Sequence, residues 1–213
     1  MLPLLSTSLL DTLKILMLGN IMTFGNQMPA TFQDMMSAQE RIVSIDSIFT
    51  HDDGVECALL KSLYPEPYNC TSSFIQNHKV WEKENEKHAN FIKLVTGYDV
   101  VYLQSNRIDY PLLYEIINSI DHVIGDDAII ILFQNYSTNT NLAAREKELE
   151  KQLNYFEQHN RSEKVTLLQV GDVFDMFMDQ DPSKVLDRSG LPTMQGSEYI
   201  AMALFEIIRP YIY

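Results

Sequence analysis

Short apolar runs alternate with amphipathic stretches along the whole chain, and turn residues separate them. The first run, at 13–18, predicts a buried strand that ends at a Gly19-Asn20 turn. A second turn follows at Gly25-Asn26, and Pro29 is placed to begin an amphipathic helix. This opening predicts a strand, a loop held at its carboxyl end, and a helix that packs back on the strand.

Four more stretches are predicted to be strands. Apolar and polar residues alternate at 42–48, and the runs at 99–103, 128–133 and 165–170 are mainly apolar. Helical patterns are predicted at 55–63, 79–95, 111–120, 142–159, 172–178 and 194–208, with a loop at 64–73 and Pro210 ending the last helix. Five strands that alternate with helices predict a parallel sheet covered on both faces. We therefore expect one domain spanning residues 1–213, a flavodoxin-like α/β/α sandwich with a five-stranded parallel sheet.

Composition narrows the class of partner. The 213 residues are 46% hydrophobic and 21% charged, and the formal net charge is -13. Such a charge disfavours nucleic acid and anionic lipid, and it favours other proteins as partners. No apolar run is long enough for a transmembrane helix. The apolar start carries Asp11 and Lys14 and lacks a basic leader, so it is a poor signal peptide, and a cytoplasmic location is favoured.

Neither a metal nor a cofactor is expected. Cys57 and Cys70 lack the spacing of a zinc site, and they are either bonded to each other or, as we favour, free in the core. Four aspartates at 172, 175, 179 and 181 lack the glycine and the terminal glutamate of a calcium-binding loop. We expect them to be solvated carboxylates at helix ends.

Three segments, in order and over most of the chain, resemble the conserved blocks of SGNH/GDSL hydrolases. They are ILMLGNIMTFGNQMP at 15–29, YDVVYLQS at 98–105 and LDRSGLPTMQGSEYIAMALF at 186–205. The first resembles the branch of the family whose first strand ends in Gly-Asn-Ser-x-Thr. The resemblance implies the SGNH hydrolase fold and a serine, histidine and aspartate that cleave esters.

Placed on this chain, the residues of that triad are missing. Ile21 occupies the serine position, Leu191 the histidine position, and Arg188 the aspartate position, with Asp187 beside it. An isoleucine offers no nucleophile and a leucine accepts no proton. The resemblance therefore implies a degenerate member of the family, catalytically inactive, that serves as a structural or protein-binding subunit of a larger assembly.

Two alternatives stay open. A working esterase or carbohydrate deacetylase would use a relocated site, with Thr23 or Ser189 as nucleophile and His51 as base. A ligand- or glycan-binding module would instead keep an open cleft without its chemistry. Polar residues at the expected cleft would line it: Asn20, Gln104, Ser105 and Asn135.

Some of these positions also have purely structural interpretations. Asn20 is expected to hold its turn through side-chain hydrogen bonds, and Thr23 to cap it. Gly54 aligns with the glycine of the family's second block, yet Asp-Asp-Gly is also an ordinary turn signal. The aromatic tail at 211–213 is expected to pack on a partner or on the chain's own first helix.

Overall fold

A computed structural model describes residues 12–50, 72–76, 79–81, 95–104, 110–136, 142–160, 162–178 and 180–212. Within these ranges seven strands form one sheet. They are β1 (Leu13–Gly19), β2 (Val43–Thr50), β3 (Ser72–Gln76), β4 (Lys79–Trp81), β5 (Val100–Leu103), β6 (Ile129–Phe133) and β7 (Val165–Leu168).

The strand order across the sheet is β4-β3-β2-β1-β5-β6-β7. Five strands, β2-β1-β5-β6-β7, pair in parallel, and β3 and β4 extend the β2 edge in antiparallel fashion. The first strand in sequence lies inside the parallel set, between β2 and β5, as in flavodoxin-like sheets. The predicted fold, an α/β sandwich around five parallel strands, is confirmed.

The described helices are α1 (Ile21–Phe24), α2 (Met28–Ser37), α3 (Tyr110–Asp121), α4 (Leu142–His159), α5 (Val170–Met178) and α6 (Met194–Ile212). Single 3₁₀ turns occur at Gly25–Gln27 and Pro182–Lys184. None of these helices is both long and apolar enough to cross a membrane.

Side chains that alternate along β1 divide the interior into two layers. Ile15 and Met17 point to a core shared with α2, α5 and α6, where Phe32 is fully buried. Leu16 and Leu18 point to the opposite core, which contains Tyr114 of α3. Every β1 residue but Lys14 is buried, because helices cover both faces of a parallel sheet.

Two predictions near the β2 edge of the sheet are wrong. The helix predicted at 79–95 does not begin at Lys79, and the loop predicted at 64–73 does not extend to Ser73. Lys79–Trp81 is a strand, and Ser72 and Ser73 belong to the strand that it pairs with. Val80 and Trp81 are good strand formers, and antiparallel pairing with β3 overrides the helical charge pattern that follows them. Residues 82–94 lie outside the described ranges, as do the predicted turn at 51–54 and helix at 55–63.

Three further predicted boundaries are wrong. The loop after β1 contains α1 and a 3₁₀ turn, and β7 ends at Leu168 because α5 begins at Val170 rather than Asp172. Pro210 does not stop α6, which continues to Ile212. A proline removes only one hydrogen bond so near a helix end, and the next residue, Tyr211, is 7% exposed in the core that contains Met36 of α2.

Candidate functional site

The carboxyl ends of β1 and β5 are tied together by one buried hydrogen bond. The backbone N–H of Asn20, just after β1, donates to Oε1 of Gln104, just after β5, at 2.9 Å. Both side chains are buried, at 2% and 0% exposure. These two polar residues therefore contact each other inside the protein at the edge where ligands bind in parallel sheets.

Asn20 also forms the N-terminal cap of α1. Its carbonyl oxygen accepts the N–H groups of Thr23 and Phe24, each at 3.0 Å, and its Oδ1 accepts the N–H of Met22 at 2.9 Å. The helix consequently begins at Ile21, the position at which the family resemblance expects the nucleophile.

The side chain of Thr23, on α1, belongs to a buried polar cluster. Its hydroxyl is 3.2 Å from the hydroxyl of Tyr102 and donates to Gln104 Oε1 at 3.3 Å. Burial raises the pKa of Tyr102, so its hydroxyl stays protonated. A Cβ atom at Gly19 would lie 2.5 Å from Thr23 Oγ1, so only glycine fits at the end of β1. The Thr23 side chain has no exposed surface.

Asp187 organises the loop before α6. Its Oδ1 accepts hydrogen bonds from the hydroxyl of Ser189 at 2.6 Å, the N–H of Ser189 at 2.8 Å and the N–H of Leu191 at 3.0 Å. These bonds, led by that of the Ser189 hydroxyl, lower the pKa of Asp187. Gly190 has φ 80, a left-handed conformation that favours glycine. Within this turn Arg188 is exposed and Leu191 is half-buried.

Two hydrogen bonds join this loop and α6 to the segment after α1. Asn26 Nδ2 donates to the carbonyl oxygen of Pro192 at 2.6 Å, and Ser197 Oγ donates to the carbonyl oxygen of Gly25 at 3.2 Å. Asn26 and Gln27 have φ 50 and 60, and the bond from Asn26 helps to hold this left-handed turn. The fold thus brings together the two segments in which the resemblance places the triad.

The end of β6 borders the same region. The Tyr136 hydroxyl donates to the carbonyl oxygen of Gly190 at 3.0 Å. The backbone of Asn135 is held by Gln152 of α4, which accepts its N–H at 3.0 Å and donates to its carbonyl oxygen at 2.9 Å. Sequence reasoning missed Tyr136, Gln152 and Ser197, because the partners of these contacts are far away along the chain.

The two hydroxyls considered for a relocated site differ in their surroundings. Thr23 is buried in its polar cluster, and the exposed Ser189 donates to Asp187. In the described ranges neither hydroxyl is hydrogen-bonded to a histidine. His159, on α4, stacks on Tyr155 with ring centroids 3.9 Å apart. Three of the predicted positions, His51, Gly54 and Ser105, lie outside the described residues, as do Cys57 and Cys70.

Two aspartates of the acidic segment contact side chains of the protein itself. Asp175 accepts a hydrogen bond at 2.5 Å from Arg145 Nε, whose side chain is 3% exposed. Burial, and then the charge of Asp175, raise the pKa of Asp172. Asp181 accepts the Ser183 hydroxyl at 2.5 Å, and Asp179 is not described. In the described part of the chain no three acidic, histidine or cysteine side chains are grouped as metal ligands.

Two surface cavities of the described residues lie at the opposite edge of the sheet. One, of about 530 Å³, is lined by residues at the amino ends of β1, β5 and β6, among them Lys14, Asp99 and Ala128. The other, of about 710 Å³, lies between Gln39 after α2 and the Phe205–Pro210 end of α6. Neither contains a residue of the candidate site.

No protein-family model matches this chain, and no curated protein matches it in sequence. Solved structures do match its fold. A DUF4886 family protein from Bacteroides uniformis aligns with TM-score 0.63 and 13% identity over 92% of this chain and 82% of its own. A lipase from a goat rumen metagenome aligns with TM-score 0.60 and 14% identity over 91% and 96% of the two chains.

A family 3 carbohydrate esterase from Clostridium thermocellum aligns with TM-score 0.57 and 14% identity, over 95% of this chain and 98% of its own. The TM-scores establish a common fold at these low identities. The chain therefore shares the α/β scaffold of these proteins over nearly its whole length.

Proposed function

We propose that this protein is a degenerate, non-catalytic relative of SGNH hydrolases that acts as a protein-binding subunit of a larger assembly. One observation carries the proposal. The two segments that resemble the triad-bearing blocks of that family are joined here by the hydrogen bond from Asn26 to Pro192, and by that resemblance Ile21 and Leu191 occupy the positions of the nucleophile and the base.

The hydrogen bonds around the site support the same conclusion. Asp187, next to the aspartate position, accepts three hydrogen bonds from its own loop, and none comes from an imidazole. Thr23 is buried with Tyr102 and Gln104. Polar groups that are hydrogen-bonded in this way stabilise the loops, which supports a structural role for them.

Enzyme assays with a restored triad test the catalytic half of the proposal. The wild-type chain is expected to hydrolyse p-nitrophenyl acetate and butyrate no faster than buffer. The triple variant Ile21→Ser/Arg188→Asp/Leu191→His is expected to react with a fluorophosphonate probe at position 21 and to gain measurable turnover. The hydroxyl introduced at position 21 then has a base at position 191 and a carboxylate at position 188 that orients the base.

The matched control is Ile21→Ala/Arg188→Asp/Leu191→His, which has the base but no nucleophile and is expected to stay unlabelled. Wild-type turnover that exceeds buffer and persists in that control would overturn the proposal, because a relocated site would then be at work. A fluorophosphonate adduct on wild-type Thr23 or Ser189 would have the same meaning.

The size at which the protein elutes from a sizing column tests its proposed role as a subunit of a larger assembly. In extracts of its own cells, the protein is expected to elute from a sizing column in a complex larger than the purified chain. Elution at the size of the purified chain, at low salt and near the cellular concentration, would contradict a subunit role.

A further inference from the structure

Helices α5 and α6 lie side by side and present an apolar surface outward. Their contact is a stacked pair, Phe177 on Tyr199, with ring centroids 4.7 Å apart and planes at 18°. Both rings are only partly buried. We call this surface the methionine face and define it by Val173, Met176, Phe177, Tyr199, Met202 and Ala203.

Two methionines flank the stacked rings and are the most exposed members of the methionine face. Met176 is 68% exposed and Met202 is 50% exposed. Met202 lies three residues after Tyr199, and Met176 three after Val173, so each neighbours the inter-helix contact on its own helix. Methionine is flexible and polarisable, and it is frequent on surfaces that adapt to an apolar partner.

Acidic side chains border these methionines. Glu198 and Glu206 lie one helical turn before and after Met202, and Asp172 lies one turn before Met176; all three are exposed. Together α5 and α6 carry four acidic residues and one basic residue, Arg209. Asp175 is paired with Arg145 of α4, and Glu206 with Arg209. The acidic residues still outnumber the basic ones, so the methionine face is an apolar strip with a net negative border.

The negative charge around the methionine face limits which kind of partner can bind there. A second copy of the chain would bring another net charge of -13 and the same acidic border, so like charges would oppose the contact. An amphipathic helix with apolar residues at i, i+3, i+4 and i+7 and with lysine or arginine beside them matches both the strip and its border.

We infer that the methionine face is the docking surface for a basic amphipathic helix of a partner protein. This inference rests on the proposed protein-binding role and names the chemistry of the partner. The surface lies on the outer side of α5 and α6 and uses none of the residues of the degenerate triad.

A synthetic probe tests the inference with the full-length chain. The probe is a fluorescent peptide of about 18 residues, five helical turns, with leucine and phenylalanine at the spacing above and lysine elsewhere. Fluorescence anisotropy is expected to show saturable binding that weakens as NaCl is raised. Met176→Gln and Met202→Gln keep the length and charge of the side chain, and each is expected to raise Kd about fivefold to tenfold.

Met194→Gln is the matched control, because Met194 is on the same helix and 68% exposed but outside the methionine face. It is expected to leave Kd unchanged. Glu198→Gln/Glu206→Gln is expected to weaken binding and to reduce its dependence on salt.

Three results with the peptide would overturn the inference, and a fourth concerns self-association. The first is no binding of the peptide, and the second is equal loss in Met194→Gln and Met202→Gln. The third is equal binding of a peptide with the same lysines but serine in place of every apolar residue. Self-association in sedimentation that Met202→Gln abolishes would also overturn it in favour of a second copy. Ester hydrolysis by the wild type, with peptide binding intact, would refute only the non-catalytic role.

Discussion

At the scale of single residues, the candidate site is dominated by polar groups that bind one another. Gln104 Oε1 accepts hydrogen bonds from Asn20 and Thr23, and the Thr23 hydroxyl also contacts that of Tyr102. Each group is buried, where an unmade hydrogen bond costs the full desolvation of its partner. The buried hydrogen bonds of this cluster therefore stabilise the conformation of the segment after β1.

Replacing Thr23 by valine tests this role. Valine keeps the shape but removes the hydroxyl, so Tyr102 loses its partner and Gln104 loses one of its donors. Unfolding free energy is expected to fall by about 1–3 kcal/mol in urea denaturation. In a double-mutant cycle with Tyr102→Phe, the two losses are expected to sum to more than the loss in the double variant.

Ser189→Ala supplies the comparison. It removes an exposed hydroxyl whose bond to Asp187 is made in water, and the change in unfolding free energy is expected to stay within about 0.5 kcal/mol. Equal losses for Thr23→Val and Ser189→Ala would show that burial of the cluster contributes nothing.

At the scale of elements, the start of α6 is held by a close backbone approach. A Cβ atom at Gly196, in its first turn, would collide with the carbonyl oxygen of Val185. Ser197, the next residue, donates to the carbonyl oxygen of Gly25. The position of α6 against the candidate site therefore depends on a residue that lacks a side chain.

Gly196→Ala is accordingly expected to lower the unfolding free energy by about 1–3 kcal/mol, because α6 or the segment at Val185 must shift. The midpoint of thermal unfolding, followed by circular dichroism, measures the effect. Gly25→Ala is the control, since a Cβ there meets nothing within 4 Å, and its midpoint is expected to stay close to that of wild type. If Gly196→Ala unfolds at the same midpoint as wild type, the close approach of Gly196 to the Val185 backbone is contradicted.

Elements that bury a continuous apolar run could be predicted from the sequence alone. All five parallel strands were located. β1, β5 and β6 are largely apolar on both faces for four or more residues, β2 alternates apolar and polar residues, and β7 is a short, mainly apolar segment. Strands β3 and β4 were missed, because they are short and depend on pairing: β3 pairs with β2, and the three-residue β4 pairs only with β3. The extension of α6 past Pro210 was missed for a similar reason, since packing of Tyr211 decides it.

The candidate site was predictable in its segments and not in its contacts. The resemblance indicated the segments around Ile21 and Leu191, which the structure brings together through Asn26 and Pro192. The hydrogen bond from Tyr136 to Gly190 joins residues 54 apart, and no local pattern signals such a pair. The roles of Ile21, Arg188 and Leu191 stay predictions until the restored-triad assay is done.

At the scale of the whole molecule, charge repulsion opposes folding. A net charge of -13 raises the free energy of the compact state more than that of the expanded chain. Surface ion pairs give little relief. Arg209 and Glu206, for example, are more than half exposed and 3.4 Å apart.

Added NaCl is therefore expected to stabilise the protein at pH 7. Between about 0.02 M and 0.3 M salt, screening is expected to raise the unfolding midpoint by about 2–4 °C, which corresponds to roughly 1 kcal/mol. Differential scanning calorimetry measures the shift, and sucrose at equal osmolality controls for effects that do not depend on charge. An unfolding midpoint that falls as NaCl is added would contradict the view that repulsion between negative charges destabilises the folded protein.

The hydrogen bonds of Asn26 with Pro192 and of Ser197 with Gly25 join residues 166 and 172 positions apart. On the ribosome, the segment after β1 emerges long before its partners have been synthesised. A turn that is made early in synthesis is thus among the last to reach its final conformation. Until then its left-handed residues, Asn26 and Gln27, lack the hydrogen bond to Pro192 that helps to hold them. A nascent chain halted before Pro192 would lack this contact at the carboxyl end of the sheet.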